Sequence, residues 1–250
     1  REEGMEGFVN MSYNHSLVNN KAWQMRPSIN LKYRHNKFSL YSNIAVNRDI
    51  SGNEMQETTL FLPSLSRQQS EGEKDNNRTY QALQLGTLYD INDRQSIGLE
   101  VNISRNPSSG QTSSSTNINE EGKKTIVSSL FAPRQKMNQI SIVGNYTLKL
   151  DTAGSAFKVL VDYNRRHVDN YTHYISMYSG FQNYDTTYRN ISPTFNNIYT
   201  LSTDFEIAIG KRSQIQTGLK YSCNNMNNDM LYEALVGDTW NVLDPRSYSN

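Results

Sequence analysis

The chain has a single cysteine, Cys223, in 250 residues. That excludes a disulfide framework and a thiolate metal cluster within it. It has only 6 prolines, and no stretch approaches the roughly 18 consecutive apolar residues that a spanning helix needs. Charge of one sign is missing too: 25 Lys and Arg face 24 Asp and Glu, a net charge of +1, so no global basic field directs the protein to nucleic acid. No phosphate-binding loop, dinucleotide glycine fingerprint, nucleophile elbow or His-Glu-x-x-His zinc signature is present, and the sequence supports no catalysis and no cofactor. The start, Arg1-Glu2-Glu3, has no charged-then-apolar leader, so the chain is expected to be a fragment whose signal peptide or upstream domain lies elsewhere.

Hydrophobic residues make up 36% of the chain and the mean hydropathy is −0.72. Such values do not suit a helical membrane protein. They are compatible with a β-barrel, where only alternate side chains meet lipid and the others face a wet interior. The chain is rich in what strands favour, including 16 tyrosines, because aromatic and β-branched side chains fit a pleated surface. Ile97, Leu99, Val101 and Ile103 alternate with Gly98, Glu100, Asn102 and Ser104, a period of two that predicts a half-buried strand. Leu83, Leu85, Thr87, Tyr89 and Ile91 alternate just before it, and only Asn92-Asp93-Arg94 separates the runs. So short a polar link predicts a hairpin.

Three more hairpins follow from the same pattern, turning at His35-Asn36-Lys37, at 151–155 and at Gly210-Lys211-Arg212. The turn centres, near residues 36, 93, 153 and 211, lie 57, 60 and 58 residues apart. Long polar segments, 49–77, 107–135 and 167–196, separate them, and within these 58–65 and 125–131 are expected to be further strand. Short turns at one end and long loops at the other are the layout of an outer-membrane barrel. From Trp23 to Tyr33 and from Tyr199 to Ile209 is ten residues, within the roughly 9 to 11 of a tilted spanning strand. Tyr33, Phe38, Tyr89, Phe157 and Phe205 are expected to form the lower aromatic girdle. The predicted fold is therefore an all-β antiparallel up-and-down meander forming part of a transmembrane β-barrel, with short periplasmic turns and long extracellular loops. Residues 1–250 would supply about nine crossing strands, the first at 7–14, and 229–250 would begin an incomplete outer loop. The competing reading is a half-buried sheet of a soluble protein.

The stretches Ile29-Asn-Leu-Lys-Tyr-Arg-His-Asn-Lys-Phe-Ser-Leu-Tyr-Ser-Asn43 and Leu85-Gly-Thr-Leu-Tyr-Asp-Ile-Asn-Asp-Arg-Gln-Ser-Ile-Gly98 resemble barrel hairpins of TonB-dependent receptor-like outer-membrane proteins. The resemblance covers nearly the whole chain but rests on hairpin grammar, and it implies architecture more than substrate. It implies an outer-membrane receptor and transporter for nutrient uptake, non-catalytic, with a plug and the remaining strands outside this chain. The implied partners are outer-membrane lipid, the TonB energy-coupling system through parts outside this chain, and a nutrient that could be a glycan, a peptide or a metal chelate. Two other readings compete: a non-transporting barrel that presents surface loops, as an adhesin or structural protein would, and a soluble all-β binding module.

One segment has an aromatic density unlike the rest: Tyr171, Tyr174, Tyr178, Phe181, Tyr184 and Tyr188. In an extended hairpin Tyr174, Tyr178, Tyr184 and Tyr188 share a parity and would form a stacking surface able to grip a ligand. The alternative is a self-packed loop cap. Glu100, Asp162, Asp204 and Glu206 fall on the expected lumen face, where solvated charge is the ordinary reading. His167 and His173 have no nearby cysteine or acidic cluster to complete a set of ligands, and no metal site is expected.

Overall fold

The computed structural model describes residues 3–18, 21–61, 66–120, 122–181, 183–209, 213–243 and 246–248. Eleven strands form one antiparallel sheet: β1 Gly4–His15, β2 Trp23–His35, β3 Phe38–Phe61, β4 Ser66–Asn92, β5 Gln95–Glu120, β6 Lys123–Lys149, β7 Ala156–Gly180, β8 Tyr184–Ile209, β9 Ser213–Asn228, β10 Leu231–Val236 and β11 Thr239–Val242. Each of β1 to β8 pairs with the next in sequence, and β8 carries both β9 and β10. Among the described residues no helix is long and apolar enough to cross a membrane. Crossing falls to strands, which that test does not address.

The tight turns lie side by side at one end. The Asp90 N–H donates to the Lys37 carbonyl at 2.8 Å and the Lys149 N–H to the Arg94 carbonyl at 2.8 Å, each joining one turn to its neighbour. At 151–155 the Asp151 carboxylate accepts from the N–H groups of Ala153, Gly154 and Ser155 at 2.8 to 3.0 Å. These bonds, led by those to Ser155, hold its acid below the usual range. Ser155 in turn accepts from the Ala208 N–H at 3.0 Å, tying this turn to β8. Asn36 has φ +51°, a left-handed conformation that asparagine tolerates better than most residues. The fourth expected turn, 210–212, lies outside the described residues.

At the other end the strands go further than the sequence pattern signalled. The β3–β4 ladder runs without a slip from Phe38↔Tyr89 to Phe61↔Ser66, and β5–β6 runs in one register from Gln95↔Leu148 to Glu120↔Lys123. Over their described residues the segments 49–77, 107–135 and 167–196 are thus tall antiparallel pairings, not strand confined to short patches; residues 62–65 of the expected strand 58–65 lie outside the described residues. The reason is physical: with both faces wet there is no apolar alternation to read, while the register set lower down carries the backbone pairing upward. The segment after 229, expected to begin a loose loop, forms a second small pairing. β10 lies along β8 in the same register as β9, and the break between them faces Pro193, which has no N–H to give the ladder. The Asp229 N–H donates to the Pro193 carbonyl at 3.3 Å, and Met230 turns its backbone outward to pair with Tyr248.

An unbroken register lets each face be followed across strands. On one face, in the half nearest the tight turns, stand Met5, Val9, Ile29, Leu31, Leu40, Ile44, Leu83, Leu85, Ile97 to Ile103, Ile140, Ile142, Val159, Val161, Leu201, Leu219 and Tyr221. No Lys, Arg, Asp or Glu interrupts this band among the described residues of β1 to β9. Ile97 is 50% exposed and Leu99 49%, and among the described residues no second layer packs on them, since every described strand belongs to the single sheet. The sandwich reading requires such a layer. All five expected girdle aromatics stand on this face, with Phe157 and Phe205 in ring contact at 4.5 Å. At the band's other edge Tyr13 stacks on Trp23 at 6.5 Å and Tyr163 on Tyr199 at 5.0 Å.

The opposite face is polar and knitted together. Glu100 accepts from the Tyr41 hydroxyl, from Gln84 at 3.0 Å and from Asn102 at 2.7 Å. Tyr41 reaches it by lying across Gly86, where any Cβ would collide with its ring. Asn43 donates to Asn30, and Lys158 pairs with Glu206 at 2.5 Å. Asp162 and Asp204 share this face by register. Exposed large apolar residues on one side and a hydrogen-bonded polar network on the other invert the soluble pattern, in which apolar side chains hide from solvent.

Candidate functional site

β7 and β8 pair from Ala156↔Glu206 to Tyr178↔Tyr184 without a slip. Even-numbered residues of both strands therefore keep the polar face along their whole length. Tyr174 stands opposite Tyr188, and Tyr178 opposite Tyr184. All four rise above the apolar band on the side of Asp162 and Glu206. Tyr178 and Tyr184 stack at 4.2 Å with an interplanar angle of 12°. Two aromatics that the sequence did not flag complete the surface: Phe131 of β6 meets Tyr174 at 5.0 Å, and Tyr232 of β10 stacks on Tyr188 at 5.7 Å and approaches Tyr174 at 6.5 Å. Arg246 lies over the Tyr232 ring at 5.1 Å.

The other two expected residues are elsewhere. Tyr171 is odd-numbered and stands on the opposite face, across from Arg134 and Ile191. Phe181 lies beyond the end of β7, 62% exposed, with the Lys123 ammonium 4.5 Å from its ring centre. Gly180 allows that corner: it has φ +110°, and a Cβ there would strike the Lys124 carbonyl. Tyr232 and Phe131 had no local signal. They are 44 and 57 positions from Tyr188 in the chain, and only strand register makes them neighbours.

Apart from the Arg246 guanidinium over Tyr232, the chemistry of the surface is neutral and amphipathic. Burial, then the neighbouring Tyr232, raises the Tyr174 phenol above its ordinary value. Burial, then Tyr184, does the same for Tyr178. Phenols so held stay protonated at neutral pH, and they present ring faces for stacking beside O–H groups that donate and accept. On the opposite face His167 stacks on Phe195 at 4.1 Å and contacts Asp169 at 3.0 Å, while His173 meets Trp240 edge-on at 6.0 Å. Among the described residues no group of three His, Cys, Asp or Glu is placed to hold a metal ion.

Residues 148–250 match the model of an outer membrane protein beta-barrel family. That match falls on β7 to β11 and the strands carrying the tyrosines. With the uncharged, solvent-bare band already in place, it decides what covers that band. The chain is outer-membrane β-barrel wall. Its apolar face meets lipid, its polar face is the lumen side, and the tyrosines stand on the lumen side above the bilayer. No curated protein matches the chain.

Proposed function

We propose that this barrel wall belongs to a receptor that takes up a nutrient across the outer membrane, energised through a TonB-type coupling system by parts outside this chain, and that it does no catalysis itself. The observation that carries the reading is the direction of the tyrosine surface. Residues meant only to present a loop to the surroundings have no reason to gather on the lumen side. Tyr174, Tyr178, Tyr184, Tyr188 and Tyr232 do so, at the level where a ligand would enter a barrel. A stacking surface with neutral hydroxyls suits a solute carrying both apolar and hydrogen-bonding faces, as a glycan, a peptide or an aromatic metal chelate does. The polar lumen below, centred on Glu100, continues the path. The β1 edge and the β9–β11 edge are unpaired among the described residues, and open edges are not tolerated in lipid, so the reading includes further strands that close the barrel.

The test uses the full-length protein in its own cells. A strain lacking the gene is screened against glycans, peptides and metal chelates as sole nutrient sources, and the wild-type gene is returned. Uptake that depends on the protein and stops when the proton gradient is dissipated supports the proposal. Unaltered uptake of every class in the deletion strain, together with lost surface adhesion or lost envelope integrity, would replace it with the presenting-barrel reading.

A further inference from the structure

The lipid-facing side carries a second pattern, at its upper edge. Following β5 upward from the tight turn, the outward residues are Gln95, Ile97, Leu99, Val101 and Ile103, and then Arg105. The distance from Gln95 to Arg105 is ten residues, about what a tilted strand needs to cross the hydrocarbon. On β6 the band ends at Ile140, above which come Lys136 and Arg134; on β7 Arg165 follows Tyr163. These four cations occupy three adjacent strands, on the outward face by register. Strand and residue spacings place their backbones within a patch roughly 10 Å wide and 20 Å tall. All four are exposed, and none makes an ion pair among the described residues. The acid within the patch, Asp169, stands opposite Lys136 by register and contacts His167, while Arg105, Arg134 and Arg165 face no carboxylate on a neighbouring strand. The Tyr163–Tyr199 pair, of the kind that marks a membrane interface, lies directly beneath.

The opposite edge of the band differs. Around the tight turns Lys37, Asp90, Asp93, Arg94, Lys149 and Asp151 mix both signs. An excess of cations on the outward face at this boundary, with nothing like it at the lower one, calls for an anionic partner at that depth. Water could solvate scattered cations at no cost, but four on neighbouring strands repel one another unless countered. The partner that occupies that depth beside a barrel is the outer leaflet, built from phosphate-bearing lipopolysaccharide. Arg matches phosphate oxygens with a rigid fork, and Lys adds a point charge on a stem that can lie along apolar surface.

We infer that Arg105, Arg134, Lys136 and Arg165 form a binding site for the phosphorylated headgroup of an outer-leaflet lipid. The site fixes the depth of the wall and holds one lipid against β5 to β7, and it is independent of what the barrel transports. The experiment uses the full-length protein purified in a neutral detergent. Native mass spectrometry counts lipids retained when phosphorylated lipid A, the same lipid after phosphate removal, or phosphatidylcholine is titrated in. The expected result is at least tenfold tighter retention of phosphorylated lipid A than of the dephosphorylated form. The variant R105Q/R134Q/K136Q/R165Q should abolish that preference while still crossing to its heat-modifiable folded form. Inorganic phosphate at millimolar concentration should not compete, because the acyl chains contribute to binding; competition would reduce the site to a free-anion site and overturn the lipid assignment. Equal retention of both lipid A forms by the wild-type protein would overturn the proposal without recourse to any variant. If the fourfold variant fails to assemble, the pairs R105Q/K136Q and R134Q/R165Q give the same reading, and an undiminished preference in both would also overturn it.

Discussion

The tall β5–β6 hairpin and the tall β7–β8 hairpin leave the membrane together and share a strand pairing, yet side chains do different things in them. Above the bilayer β5 reads Ser108-Ser-Gly-Gln-Thr-Ser-Ser-Ser-Thr-Asn117, and its cross-strand contacts are single hydroxyl bonds such as Ser70 with Thr116 at 2.9 Å. Above the same level β7–β8 carries ring on ring. In the first hairpin β5 is held up almost wholly by its backbone ladder, and only β6 contributes a ring, Phe131. The other adds aromatic area and turns that area toward the lumen. A ladder alone is enough to build height, so the rings of β7–β8 are surplus to the architecture, and surplus of that kind is where ligand contact is expected.

The largest effect separates the membrane half of both hairpins from the upper half. Leu99→Arg puts a charge near the middle of the band, which costs about 2 to 4 kcal/mol in a barrel wall; Ser113→Arg, on the same strand and face above the bilayer, should cost close to nothing. Folded fraction by heat-modifiable mobility and by urea titration in lipid checks the pair, and equal losses would mean that the band has been set at the wrong height. Next comes the lumen network. Tyr41→Phe leaves Glu100 short of one donor, and a lost bond of this sort costs about 1 to 3 kcal/mol. Gly86→Val should be at least as damaging, because it evicts the Tyr41 ring instead of trimming its hydroxyl.

Smaller effects test the contrast between the hairpins. A double-mutant cycle of Tyr178→Ser and Tyr184→Ser should return a coupling of about 0.5 to 1.5 kcal/mol, whereas Ser70→Ala with Thr116→Ala should stay at or below about 0.5 kcal/mol, toward the low end of cross-strand pairs. Changing Tyr174, Tyr178, Tyr184 and Tyr188 together to Ser should leave assembly intact and weaken uptake of the protein's ligand by more than tenfold. Normal uptake by an assembled variant would make the rings a packing feature. Titration gives the least. The Tyr174 and Tyr178 phenols have raised pKa values in the folded state, so their contribution is complete below the ordinary tyrosine value and is lost as pH rises through the raised one. Tyrosinate absorbance of the wild type should therefore show a late-ionising fraction that is missing from the doubly substituted protein. For Asp151 the sign is opposite: its folded value is depressed, so the turn bonds are complete above the ordinary carboxylate range and fail as pH falls below it.

What the sequence determined is the lower half of the molecule. Strict alternation in Ile97 to Ile103 and in Leu83 to Ile91, with three polar residues between them, leaves one hairpin and one choice of faces, because a slip of one residue would send every apolar side chain into the lumen. The even spacing of the turns then orders the rest. In the upper half the alternation stops: Ser, Thr, Asn and Gln suit either face, and pairing there depends on a register inherited from below. The candidate site shows the same division. Parity along one hairpin was enough to group Tyr174, Tyr178, Tyr184 and Tyr188 and to leave Tyr171 off their face. Only the tertiary structure could bring in Phe131 and Tyr232, and only it could align Arg105, Lys136, Arg134 and Arg165, since each comes from a register between strands far apart in the chain. A period of two is a local property of the backbone, whereas the neighbours of a side chain across a sheet are fixed by which strands pair and how far each is slid.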